Sequence, residues 1–169
     1  KKCRLNGKAT LDIKPYFSPV DSLTLQAKGF DILKVQMIGK GIKDLKYEYD
    51  STNLIIRLDR TYSRNEQYQI YIEYTAKPNE RKTGGSSAIS SDKGLYFINP
   101  DSSEVGKHVE VWTQGETEAS SCWFPTIDRP NEKMTHEIFI TAPDAFKTLY
   151  NGLLIKSTKN KNGMRTDHW

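Results

Sequence analysis

The chain has 169 residues, with 25 basic and 21 acidic side chains, a formal net charge of +4, and 36% apolar, 27% charged and 11% aromatic residues. That composition forms a core and excludes a disordered chain, while so mild a charge gives no ground for a nucleic-acid or membrane surface. The longest apolar runs are pieces such as Leu54-Ile55-Ile56, far below the roughly 20 residues of a membrane span.

In chain order, the dominant signal is an apolar residue at every second position, the mark of strands with one face buried. Leu11 and Ile13 alternate with Asp12 and Lys14, and Leu23, Leu25 and Ala27 with Thr24 and Gln26. Leu33, Val35 and Met37 follow, then Leu45, Tyr47 and Tyr49, then Leu54, Ile56 and Leu58. The longest run is Tyr68, Ile70, Ile72 and Tyr74, and further strands are expected at 95–98, 109–111, 138–140 and 153–155. Turn chemistry separates them. Asp50-Ser51-Thr52-Asn53 lies between two runs, and Asn151-Gly152 and Asn162-Gly163 are hairpin signals because both residue types tolerate positive φ. Residues 77–92, with Pro78, Gly84, Gly85 and four serines, predict an exposed or disordered loop, and 99–106 a connecting loop. No segment repeats apolar residues at i, i+3, i+4 and i+7 over three turns, so helix is limited to a short turn around 130–133.

The expected fold is all-β, about ten antiparallel strands with little helix, as a sandwich or a large bent sheet in one domain over 1–169. The chain opens on Lys1-Lys2-Cys3 and closes on Asp167-His168-Trp169. A Trp following the Asn162-Gly163 signal looks like a strand cut short, which predicts a module of a longer protein.

Metal-ligand arithmetic is negative. Cys3 and Cys122 are too few for a disulfide framework and are expected to be free thiols. His108, His136 and His168 have no zinc-ligand spacing. His136-Glu137 starts like His-Glu-x-x-His, but position 140 is Ile140 and residues 135–141 look like a strand. The zinc motif needs a helix to set both imidazoles on one face. No metal site is expected in this chain.

The chemically dense stretch is 111–130. It holds Trp112, Thr113-Gln114-Gly115-Glu116, then Trp123-Phe124-Pro125 and Asp128-Arg129-Pro130. Gly115 permits close backbone approach or a bulge, and Pro125 and Pro130 end strand pairing. Asp128 is expected to cap the turn at Arg129-Pro130 by accepting backbone N–H groups. Trp112, Trp123 and Phe124 are expected to pack in a core or between domains. Taken singly, Gln114 and Glu116 would be surface residues.

The spaced set is more specific. Thr113-Gln114-Gly115-Glu116, with Asp128-Arg129-Pro130 after it, resembles the Thr-Gln-x-Glu and Asp-x-Pro pattern of the aminopeptidase N family of zinc metallopeptidases, which includes leukotriene hydrolase-like enzymes. Gly94-Leu95-Tyr96-Phe97 before it, and Ala142-Pro143 and Asn151-Gly152 after it, resemble that family in the same order. Ser121-Cys122 departs from it, since many members carry a pair of Arg there. The resemblance implies an N-terminal β-saddle that packs on its own C-terminal, thermolysin-like catalytic domain, which lies outside this sequence. It implies zinc in the full-length enzyme, bound by that other domain, and a peptide N-terminus as substrate. Carried over by position, Gln114 and Glu116 would bind substrate, with Gly115, Asp128 and Pro130 as structural neighbours and no catalytic residue in this segment. Two other expectations stand beside it: a non-catalytic β-sandwich interaction or carbohydrate-binding module, and a family member that has lost zinc. Neither nucleic acid nor a membrane span is implied, and few cysteines with mild positive charge suit either side of a membrane.

Overall fold

The computed structural model describes residues 3–81 and 92–169, so part of the expected loop at 77–92 lies outside the described residues. These residues form two compact units, 1–132 and 133–169. Both are built of antiparallel strands, twelve in all, with single 3-10 turns at Pro78–Glu80 and Ser120–Cys122. The chain is all-β, as the alternation requires.

Unit 1 contains β1 (Leu5–Ile13), β2 (Val20–Gln26), β3 (Phe30–Ile38), β4 (Ile42–Asp44), β5 (Tyr47–Tyr49), β6 (Asn53–Tyr62), β7 (Tyr68–Ala76), β8 (Leu95–Ile98) and β9 (Glu110–Thr113). One sheet runs β1-β7-β3-β4 and a second runs β2-β6-β5. Their inner faces make the core: Leu23 and Leu25 of β2, Val35 and Met37 of β3, Leu54 and Ile56 of β6, Ile70, Ile72 and Tyr74 of β7. These are the inward members of the alternating runs, because a strand turns every second side chain to the same face. Gly7 of β1 lies over Tyr74, where a Cβ would stand 2.2 Å from the ring's Cζ, so only glycine admits the ring there.

Leu33 breaks the alternation. The β3–β7 register shifts between Ile32 and Lys34, and this bulge leaves Leu33 59% exposed while Val35 returns to the core. An extra residue in one strand reverses the facing of its neighbours. The Asp50–Asn53 turn forms as expected. The Asp50 carboxylate accepts the N–H groups of Thr52 at 2.8 Å and Asn53 at 2.6 Å, the usual local bonding of an Asx turn. The expected helical turn at 130–133 is only a reverse turn, closed by Glu132 N–H donating to Arg129 O at 3.1 Å.

Unit 2 is a three-stranded sheet in the order β10-β12-β11, from β10 (Phe139–Pro143), β11 (Lys156–Lys159) and β12 (Met164–His168). Asn162-Gly163 makes the β11–β12 hairpin with φ of 60° and 69°. Asn151-Gly152 makes no strand-to-strand hairpin: Gly152 has φ 99°, but residues 153–155 lie outside the strands. Leu149, Leu153, Leu154 and Ile155 are all exposed. His136 and Glu137 lie outside the strands, because β10 begins only at Phe139, and Glu137 meets His168.

Asp167 is 3% exposed and anchors this unit. It accepts from Thr148 Oγ1 at 2.6 Å, Ser157 Oγ at 2.6 Å and Arg165 Nε at 2.9 Å. The Arg165 bonds first, then those from Ser157 and Thr148, hold its carboxyl well below the usual carboxylate range. A carboxyl depressed by folding stabilises the fold above its unfolded value of about 4, and that contribution is lost as pH falls through and below it. Acidification below about pH 4 is therefore expected to loosen unit 2. The indole N–H of Trp169, which donates to Thr148 Oγ1 at 3.0 Å, reports it by NMR. Asp167→Asn should abolish the acid step, and an unchanged step in that variant would assign it to other groups.

Candidate functional site

The motif residues follow the β8–β9 ribbon. β9 pairs with β8 from Glu110↔Ile98 to Thr113↔Leu95, and Gln114 N–H continues the ladder by donating to Gly94 O at 3.0 Å. There the strand ends. Residues 116–119 turn, Ala119 N–H donates to Gly115 O at 2.9 Å, and the 3-10 turn Ser120–Cys122 follows. The turn sits directly on Gly94, whose φ is 68° and whose Cβ position lies 2.0 Å from Ala119 O.

This reversal brings Gln114 and Glu116 together. Gln114 Nε2 donates to Glu116 Oε2 at 3.3 Å. Glu116 is exposed and Gln114 half-buried. Among the described residues, no cation lies within ion-pair distance of Glu116. The arrangement presents a carboxylate and an amide, side by side, at the end of a strand. A carboxylate accepts from an ammonium, and the amide offers one acceptor and two donors.

Asp128 works differently from expectation. Its Oδ2 accepts the N–H of Ser121 at 2.8 Å, seven residues upstream, so it ties the 3-10 turn and not the turn at Arg129-Pro130. Short 3-10 turns leave N–H groups without internal partners, and a side-chain oxygen supplies one. Pro130 lies in the exposed reverse turn after it. Gly115 is exposed, with its Cβ position 2.6 Å from Ser120 Oγ.

Three residues outside the motif hold this loop, and local pattern gives no signal for them because they lie far away in sequence. Gln26 at the end of β2 exchanges backbone hydrogen bonds with Thr126 at 2.8 and 3.0 Å, and its Oε1 accepts Asp128 N–H at 3.0 Å. Lys28 N–H donates to Ser121 O at 2.8 Å, and its ammonium donates to Glu118 O. Tyr74 Oη donates to Trp123 O at 2.9 Å. Lys28 thus grips both ends of the segment 118–121, two residues beyond Glu116. Lys28→Met is expected to loosen the 118–121 segment, read as at least about tenfold faster amide hydrogen exchange at Ser121 and Cys122, and Lys28→Arg to recover most of the protection. Unchanged exchange would free Lys28 of any positioning role.

The aromatic residues divide. Trp112 is 46% exposed and stacks on Tyr96 across the ribbon, with centroids 4.7 Å apart. Trp123 and Phe124 are half-buried and meet edge to face at 4.5 Å. Cys122 is buried with Arg81 Nη1 2.6 Å from its sulfur, and burial pushes the thiol up despite that cation. Neither Cys3 nor Cys122 is joined in a disulfide. Among the described residues, no three His, Cys, Asp or Glu side chains converge as a metal-binding group.

The fold has known counterparts. The Peptidase M1 N-terminal domain family matches residues 1–169, and this chain belongs to that family. Its fold is that of the M1 zinc metallopeptidase from Deinococcus radiodurans, at a TM-score of 0.78 and 18% identity, over 98% of this chain and 34% of that one. Legionella pneumophila aminopeptidase A superposes with a TM-score of 0.68 and 20% identity, over 97% of this chain and 17% of that one. Yeast LTA4 hydrolase gives 0.65 and 17%, over 99% and 24%. The chain spans about a third or less of the length of these structures. No curated protein matches it.

Proposed function

We propose that this chain is the N-terminal β domain of a zinc-dependent aminopeptidase, and that it lends Gln114 and Glu116 to the active site of a catalytic domain elsewhere in the protein. The observation that carries the proposal is the Gln114–Glu116 pair, 3.3 Å apart at an irregular strand end. An enzyme that removes N-terminal residues must recognise a free α-ammonium. Glu116 is suited to pair with it, and one charge-assisted hydrogen bond contributes roughly 1.5–3 kcal/mol. A blocked or internal peptide bond offers no ammonium and leaves the carboxylate desolvated without a partner, so selectivity for chain ends follows. Gln114 fixes the carboxylate by its amide N–H and keeps its carbonyl oxygen for the substrate backbone. Related M1 enzymes support the reading: their structures hold L-arginine, a Tyr-Ser-Ala substrate and, in the Legionella enzyme, aspartic acid, all with a free α-amino group. Zinc, where the full-length enzyme holds it, supplies water activation and carbonyl polarisation.

The test compares free and blocked substrates. The full-length protein is expected to hold one zinc per chain and to cleave a peptide with a free amino end at least about 100-fold faster than its N-acetyl form. Equal rates would defeat the proposal. A folded full-length protein without zinc and without activity would make it a family member that has lost its metal.

A further inference from the structure

Residues 14–19, Lys14-Pro15-Tyr16-Phe17-Ser18-Pro19, connect β1 to β2 and take no part in the amino-end site. Pro15 is buried and fixes the base of the loop. Beyond it Tyr16 is 79% and Phe17 86% exposed. The two rings meet edge to face, centroids 4.7 Å apart. Together with Lys14 and with Arg64 and Asn65 of the β6–β7 turn, they line an open notch. Among the described residues, Lys14 and Arg64 lie in no ion pair. The neighbouring acids in sequence are engaged: Glu66 takes Arg60 at 2.7 Å and Ser63 N–H at 2.9 Å, and Asp12 takes the Gln69 amide at 2.8 Å. Two adjacent bare rings beside two unpaired cations form a local amphipathic tip that the net charge of the chain conceals.

We propose that this loop is a peripheral contact with an anionic phospholipid surface. Tyr16 and Phe17 enter the interfacial layer, where Phe17 buries an apolar ring and Tyr16 sets its ring toward the chains and its hydroxyl toward water. Lys14 and Arg64, with the Asn65 amide, hold a lipid phosphate in the notch, as cations near an anionic leaflet do. The shape favours a bilayer over an acidic peptide. The rings stand clear of the fold, and Pro15 and Pro19 remove backbone donors that strand addition by a peptide would need. Two rings and two cations make a weak, salt-sensitive contact that orients the protein on a surface and crosses nothing.

The test is co-sedimentation of the full-length protein with vesicles of phosphatidylcholine alone or mixed with phosphatidylserine. Binding is expected only to the mixed vesicles at low salt. Tyr16→Ser/Phe17→Ser and Lys14→Gln/Arg64→Gln are each expected to lower the partition coefficient at least about fivefold. Both pairs are exposed, so far-UV circular dichroism should not change. No partition into mixed vesicles, equal partition into both kinds, or partition indifferent to both variants would overturn the proposal. So would binding of poly-glutamate in place of vesicles, which would make the occupant an acidic peptide. Self-association of the free protein that vanishes in Tyr16→Ser/Phe17→Ser would make it a second copy of the chain and equally overturn it.

Discussion

Glu116→Gln in the full-length protein is expected, on the proposed function, to lower kcat/KM for aminoacyl substrates at least about tenfold, a loss of about 1.4 kcal/mol of transition-state stabilisation. The substitution keeps the shape of the side chain and removes its charge. The ammonium then meets a neutral amide, and a charge-assisted hydrogen bond becomes an ordinary one, roughly half as strong. Because Glu116 is exposed and its partner in the chain is the Gln114 amide, folding should not suffer, and Tm should stay within about 2 °C. Kinetics on a free-amino substrate and a thermal melt separate the two effects. Unchanged kcat/KM would remove Glu116 from the site, and a large fall in Tm would make its role structural.

Gly94→Ala is expected to act through the scaffold. An alanine must there adopt φ 68° and place Cβ 2.0 Å from Ala119 O, a backbone atom that no rotamer change can move aside. The left-handed conformation costs an L-residue roughly 1–2 kcal/mol, and overpacking adds roughly 1–3. A loss of about 3 kcal/mol follows, or about 10 °C in Tm for a chain of this size. The relief available is to lift the 116–122 turn off the ribbon, which carries Glu116 away from Gln114. On the proposed function, activity of the full-length protein should therefore fall with stability in Gly94→Ala, whereas Glu116→Gln loses activity alone. A variant with native Tm and native kcat/KM would show that the close approach is not needed.

The strands were legible because burial on one face imposes a period of two, and Leu23, Ile56, Ile70 and Ile72 obey it. Leu33 was misplaced because a bulge depends on the partner strand, here the step in register against β7, and leaves no mark on its own strand. The Asn162-Gly163 signal was realised because a paired strand follows it, while the same dipeptide at 151–152 leads into a segment that the sheet does not claim. Gln114 and Glu116 are singled out in the sequence by the family resemblance they share with Asp128, and the structure sets their side chains 3.3 Å apart. Their support was not visible there: the Lys28 ammonium reaches a carbonyl 90 positions away, and the Gln26 amide meets an N–H 102 positions away. Contacts between distant segments are products of topology, and even Asp128, correctly expected to cap something, ties the earlier of two available turns.

Leu149, Leu153, Leu154 and Ile155 leave several aliphatic side chains wetted in one short stretch just before β11. β11 itself guards its strand with Lys156 and Lys159, both exposed. Charged edges repel strand-on-strand stacking, so the purified 169-residue chain should stick through greasy side chains and not through backbone ladders. Its clumping should respond to detergent and to leucine-to-serine changes at 149 and 153, and hardly at all to strand-blocking prolines in β11.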